Sequence, residues 1–351
     1  TSPIATSPAA APPTTASPAT SNVSTGDGVS TATSDPAHLA AVLPTYPFQH
    51  QRYWLEDAPD APGDLSGAGL RSAGHPLLGA IVRLATEDAV VLTGRLAAAT
   101  QPWLTDHLVQ GSVVVPGTAF VELALHAGDG LGADLLDELV VEAPLVLPDR
   151  GAVAIQVTVA APDDTGRRPV TIHSRPQADP NGGTADDGDW TRHASGTLVS
   201  GDQSPVPADR DVTLQEAASA DEWPPAEADA VDLTDGYAGL AASGLAYGPA
   251  FQGLRAAWRA GDDLYAEITL PDPQADQNGH AAFGVHPALL DAAFHAAALH
   301  RLPDTPAGHS RLPYAWNGVR LHATGATSLR VHLAVHGSDE ISLHATDPTG
   351  A

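Results

Sequence analysis

Two places in this sequence set an ionisable side chain inside an apolar run, and both use residue types that move protons. The first is His107, in Trp103-Leu-Thr-Asp-His-Leu-Val-Gln-Gly-Ser-Val-Val-Val-Pro-Gly117, a polar residue entering an apolar strand pattern. Imidazole changes charge near neutrality and serves as a general base. His107 is one of 16 histidines, so its type alone does not single it out. The second place is Asp291 with His295, the mid-helix polar residues of Pro287-Ala-Leu-Leu-Asp-Ala-Ala-Phe-His-Ala-Ala-Ala-Leu-His300. At i, i+4 they share one helix face. Burying an unpaired carboxylate is costly, so Asp291 either faces a cavity or holds a proton, and both conditions suit an acid. Two other readings stay open on these residues alone. Asp291 is a capped or solvent-facing aspartate on a helix edge, or it is half of a metal site, for which no third ligand is apparent.

The elements that must position these groups follow from periodicity. Val153, Ile155, Val157 and Val159 alternate with Gln156 and Thr158, the period of a half-buried strand. Leu264, Ala266, Ile268 and Leu270 repeat the pattern, as do Leu329, Val331, Leu333 and Val335, which turns His332 and His336 outward to solvent. Two segments read as helices. Thr118-Ala-Phe-Val-Glu-Leu-Ala-Leu-His126 is apolar around most of its circumference, as suits a helix wrapped by a sheet, and Pro287 opens a second helix through His300. One buried helix per curved antiparallel sheet, twice over, is an α+β arrangement. Residues 1–35 are nearly all Thr, Ser, Ala and Pro and read as a flexible linker. A second stretch rich in Pro, Ala and acid lies within about 201–230. It places the join between the halves at 206–230, with one half at 74–205 and the other at 231–351.

Composition removes several function classes. All 16 basic residues are arginine, against 42 acidic ones, and a formal charge of -26 disfavours binding to nucleic acid or an anionic membrane. With no cysteine there is no disulfide, thiolate nucleophile or Cys-ligated metal. No apolar run approaches the roughly 18 residues of a membrane helix, and the N-terminus lacks the basic-then-apolar order of a signal peptide. The chain starts at Thr1 and has no methionine, and it reads as a fragment of a larger cytoplasmic protein.

Four motifs occur in a fixed order. His107, Gly111 and Pro116 fit HxxxGxxxxP; Tyr247-Gly-Pro-Ala-Phe251 fits YGPxF; Asp291 to His295 fits DxxxQ/H; and Leu312-Pro-Tyr-Ala-Trp316 fits LPFxW. Together, over about 74–351, they resemble the dehydratase domains of modular type I polyketide synthases. Upstream, Leu43-Pro-Thr-Tyr-Pro-Phe-Gln-His-Gln-Arg-Tyr-Trp-Leu55, within 36–60, looks like the linker that follows an acyltransferase in those synthases, and its aromatic residues are expected to pack against the domain. Leu245 stands where the family has an aromatic residue and Tyr314 where it has phenylalanine, two departures expected to reshape the acyl tunnel.

The resemblance implies a double hot-dog fold, with His107 from the first half and Asp291 from the second facing a tunnel at the seam. It implies dehydration of a 3-hydroxyacyl thioester to the 2,3-enoyl thioester, His107 acting as base and Asp291 as acid. An apolar tunnel favours uncharged imidazole and uncharged carboxylic acid, the working form of each. The Gly117 N–H, at the positive end of the first helix, is the candidate donor to the thioester oxygen. His295 is expected to fix the Asp291 rotamer and Tyr247 to orient acid or substrate. Gly111, Pro116, Gly248, Pro249 and Phe251 are assigned structural roles. No cofactor is expected beyond the phosphopantetheine arm that tethers the substrate. The implied partners are an acyl carrier protein, the neighbouring acyltransferase and ketoreductase domains, and a second copy of the chain as homodimer. Arg255 and Arg259, four apart, are the candidate basic patch for an acidic carrier. Alternatives of the same fold are a double-bond isomerase, a cyclase, or a catalytically silent dimer scaffold.

Overall fold

The computed structural model describes residues 65, 67–177, 188–201, 223–271, 282–304, 309–337, 339–348 and 350. All of these fall within one compact unit, Asp60–Ala351. The expected linkers at 1–35 and 36–60, the packing of residues 43–55, and residues 206–222 lie outside the described residues.

The first sheet has eight strands and is antiparallel throughout. In chain order its members are β1 (Arg71–His75), β2 (Leu78–Arg83), β3 (Val90–Leu96), β6 (Leu135–Val141), β7 (Ala152–Val159), β8 (Arg168–Gln177), β9 (Thr191–Val199) and β14 (Ala315–Arg320). The spatial order is β1-β2-β3-β7-β8-β9-β6-β14. Its concave face holds helix α1 (Gly117–Asp129). The alternation read in the sequence holds: Val153, Ile155, Val157 and Val159 are all buried, and they share one core with Phe120, Leu123 and Ala124 of α1. Burying each large apolar side chain in such a core contributes about 1.5–3 kcal/mol.

The second sheet orders β10 (Asp229–Ala230), β12 (Leu254–Ala260), β13 (Asp263–Thr269), β15 (Ser328–His336) and β16 (Glu340–Thr346) sequentially, again antiparallel. It carries the second buried helical segment. Ala288, Ala292, Ala293, Ala296 and Ala297 let the backbone lie close to Ala266, Ile268, Val331 and Leu333. Two corrections to the sequence reading fall here. The helix expected through 287–300 is two pieces, α3 (Pro287–Ala293) and α4 (His295–Arg301). Phe294 N–H reaches back three residues to the Asp291 carbonyl, tightening the turn at that point. His332 does not meet solvent: it is buried on the sheet's other face, stacked at 4.7 Å on its cross-strand partner Tyr265, with Asp263 Oδ1 3.6 Å away. His336 is exposed as expected.

The two sheets are joined by a small third one, β11 (Leu245–Tyr247), β4 (His107–Val109) and β5 (Ser112–Val113), in which β4 is central. A short helix α2 (Gly236–Ala242) leads into β11. Chain halves therefore interleave: β11 pairs with β4, and β14 pairs with β6. The two central helices also touch, Thr118 Oγ1 on α1 donating to the Pro287 carbonyl at 3.0 Å. The architecture is an α+β double hot-dog, two antiparallel sheets each closed around helix.

Candidate active site

β4 and β5 form a two-residue hairpin. Gln110 and Gly111 both have positive φ, 51° and 80°, and Ser112 pairs with Val109 across the turn. Such a turn needs φ > 0 twice, which is why Gly111 stands there. The hairpin returns Val114 to His107, and the imidazole Nδ1 lies 2.7 Å from the Val114 carbonyl oxygen. A carbonyl only accepts, so Nδ1 carries a hydrogen, and in the uncharged ring Nε2 keeps its lone pair. His107 is 2% exposed, and its Nε2 has no hydrogen-bond partner among the described residues.

Asp291 faces that nitrogen. Its Oδ2 lies 3.9 Å from His107 Nε2, and Asp291 is itself buried. His295 Nε2 lies 3.1 Å from the same oxygen, so the i, i+4 pair is a direct contact despite the break at Phe294. Tyr247 stands opposite His107 in the β11–β4 ladder, and its ring sits 4.1 Å from that of His295 and 5.6 Å from that of His107. Burial, then the nearby Asp291 and Tyr237, hold the Tyr247 phenol well above its ordinary range, so it stays protonated. Phe251 packs 5.0 Å from the His107 ring and stacks with Trp103, which completes an apolar wall.

The structure thus unites His107, Tyr247, Phe251, Asp291 and His295. The expected structural positions shape their surroundings. Pro116 caps α1, and Gly117 lies under the Trp316 ring, whose Cη2 would sit 2.3 Å from a Cβ there. No direct contact joins Gly117 to the His107–Asp291 pair. Gly248 and Pro249 make the turn after β11, where a Cβ on Gly248 would meet the Asp106 carboxylate at 2.4 Å. Leu245 is buried, whereas Tyr314 is exposed and is anchored through its carbonyl, which accepts from Val141 N–H. Arg255 and Arg259 are both exposed on β12.

Three participants were missed. Asp106, adjacent to His107, accepts from Ala250 N–H on its side chain and from Gly248 N–H on its carbonyl, both at 2.7 Å, tying the YGPAF turn to the strand of His107. Glu122 is 1% exposed and accepts from Gly284 and Val285 N–H, just ahead of α3. A carboxylate on an otherwise apolar helix was its signal, the one that marked Asp291. Tyr237, on α2, contacts His295, and nothing in its spacing announced it.

The two halves of the double hot-dog thus bring a buried imidazole nitrogen against a buried carboxyl. Comparison with known proteins makes this specific. Residues 75–175 match the family described as polyketide synthase dehydratase domain, and 215–351 match that described as polyketide synthase dehydratase N-terminal domain. The polyketide synthase GfsE of Streptomyces halstedii is 52% identical over 310 residues, 88% of this chain and 8% of that protein. The dehydratase domain from the terminal module of the rifamycin polyketide synthase superimposes with a TM-score of 0.69 at 44% identity, over 82% of this chain and 95% of that one. The bifunctional dehydratase-cyclase domain of ambruticin biosynthesis does so with 0.66 at 42%, over 81% and 95%. The chain belongs to the polyketide synthase dehydratase domains. It spans less than a tenth of the length of GfsE and of two further Streptomyces halstedii polyketide synthases that it matches. No helix among the described residues is long and apolar enough to cross a membrane.

Proposed function

We propose that this domain converts a 3-hydroxyacyl thioester on an acyl carrier protein to the 2,3-enoyl thioester, with His107 as base and Asp291 as acid. The observation that carries the reading is the Nδ1 bond to Val114, which aims an unpartnered His107 Nε2 lone pair at Asp291 Oδ2, 3.9 Å away. A β-hydroxyacyl group lying alongside the pair exposes its α-hydrogen to one side chain and its hydroxyl to the other. His107 Nε2 takes the α-proton, the C–H electrons form the α,β double bond, and the β-hydroxyl departs as water with the Asp291 proton. The proton on His107 then returns to Asp291, restoring both groups. Charge developing on the thioester oxygen is met by a backbone donor at the start of α1, for which we assign the Gly117 N–H. Tyr247, held protonated, is a hydroxyl donor beside the pair and orients acid or substrate.

The proposal requires no cofactor, the substrate being carried on the phosphopantetheine of the carrier protein. It places the domain in a cytoplasmic synthase, as a homodimer, beside acyltransferase and ketoreductase domains. Incubation with a 3-hydroxyacyl pantetheine thioester, followed by mass, tests it. Loss of water is expected from the parent, and none from His107→Ala or Asp291→Asn with unaltered fold. Near-parental turnover by Asp291→Asn would remove the acid from the scheme. One observation favours a second reading: the ambruticin domain of the same fold is a dehydratase-cyclase, so a product of unchanged mass from a suitably hydroxylated enoyl thioester would assign cyclisation to this site as well.

A further inference from the structure

We infer that Tyr237 is a positioning residue for the acid: its hydroxyl decides which nitrogen of His295 carries hydrogen and so where on Asp291 the transferable proton can sit. This rests on the proposed role of Asp291. The reasoning starts from a backbone group. Leu254 N–H, at the head of β12, lies 3.1 Å from Tyr237 Oη and can only donate. The phenolic oxygen therefore accepts from it and has its own hydrogen to give. His295 Nδ1 is 3.2 Å away and takes it, so Nδ1 holds a lone pair and the ring hydrogen is on Nε2. Nε2–H then donates to Asp291 Oδ2 at 3.1 Å. One direction of donation runs from the β12 backbone through phenol and imidazole to the carboxyl.

The other tautomer has a different consequence. With hydrogen on Nδ1, that group and Leu254 N–H would both point at the one phenolic oxygen, and Nε2 would offer a lone pair to Oδ2. The acid proton would then settle between Asp291 and His295, away from the leaving hydroxyl. The surroundings leave the His295 nitrogens few partners besides Tyr237 and Asp291. His295 is 1% exposed, the Tyr237 ring meets it edge-on at 5.6 Å, and the Tyr247 ring covers it at 4.1 Å. Burial pushes the Tyr237 phenol up to about 12, so it keeps its hydrogen across the range in which the enzyme works.

The test uses the full 351-residue chain with 15N-labelled histidine. Long-range 1H–15N spectra report the tautomer of each ring, and His295→Gln assigns the resonance. The parent is expected to show His295 with Nε2 protonated and Nδ1 as acceptor. In Tyr237→Phe, which keeps the ring and its packing, the Nδ1–H form should appear. With it kcat should fall by on the order of tenfold, one oriented hydrogen bond, with KM and the circular dichroism spectrum unchanged. An Nδ1–H tautomer in the parent, an unchanged tautomer in Tyr237→Phe, or a changed tautomer with parental kcat each overturns the inference. The spectra do not depend on turnover, so they stand apart from the Asp291→Asn result that tests the acid itself.

Discussion

Glu122→Gln isolates the contact by which the first half holds the helix of the acid. Two backbone donors meet this buried carboxylate, and an imidazole nitrogen faces it. Gly284 N–H reaches it at 2.7 Å and Val285 N–H at 3.1 Å, and His75 Nε2 is 3.5 Å away. The His75 ring takes a bond from Leu77 N–H on Nδ1, which leaves the hydrogen on Nε2, facing Glu122. An amide in place of the carboxylate keeps one accepting oxygen and sets an NH2 against the remaining donors. A buried donor left unmet costs about 1–3 kcal/mol, so the loss should be about 3 kcal/mol. At about 2–4 °C per kcal/mol for a domain of this size class, the melting temperature should drop by about 6–12 °C. Because Gly284 and Val285 immediately precede the His286 cap of α3, kcat measured well below the melting range should fall as well, with KM for a small thioester unchanged. Calorimetry and a thioester assay read the two effects. A variant that melts with the parent would show that water or relaxation supplies the missing acceptors, and the clamp would have to be given up.

Burial lowers the imidazoles of His75, His193 and His332, so the unfolded chain binds protons there more readily than the fold does. Their contribution is whole above the ordinary imidazole value near 6.5 and is lost as pH falls below it, so the melting temperature should decline between about pH 7.5 and 5.5; a flat profile would contradict the burial. Gly117→Ala places a methyl 2.3 Å from the Trp316 ring and should destabilise by about 1–3 kcal/mol with loss of turnover; parental stability and activity would show that the indole moves aside without consequence. Arg255→Glu with Arg259→Glu reverses two exposed charges on β12 and should slow turnover of carrier-bound substrate while sparing a pantetheine thioester; equal effects on both would exclude docking there.

Periodicity exposed those parts of the fold in which one face is buried and the other is not. The alternation of Val153 to Val159 has a single solution, and the apolar circumference of α1 marked a helix covered on every side. It failed where both faces are covered, as at His332, because a cross-strand aromatic such as Tyr265 belongs to another segment of the chain. The break at Phe294 was likewise invisible, since no Gly or Pro stands near it and one backbone bond makes the difference. Within the site, His107 and Asp291 were marked by polarity out of place. Tyr237 was not, because a tyrosine near the start of a short helix is ordinary until the fold sets its hydroxyl between a backbone amide and an imidazole.

The two halves support each other's chemistry in a reciprocal way. The proposed base, His107, belongs to the first half, yet its strand β4 is flanked by β11 from the second, and Asp106 beside it grips the YGPAF turn. The proposed acid, Asp291, belongs to the second half, yet the segment entering its helix is held by Glu122 and Thr118, one turn apart on α1 of the first. A displacement of one half against the other would therefore strain both anchorages together before it changed the 3.9 Å separation of the proposed pair. Side chains that must hand protons to one substrate at opposite ends of a forming double bond need that separation fixed, and interleaved halves fix it with backbone contacts instead of with the catalytic groups themselves.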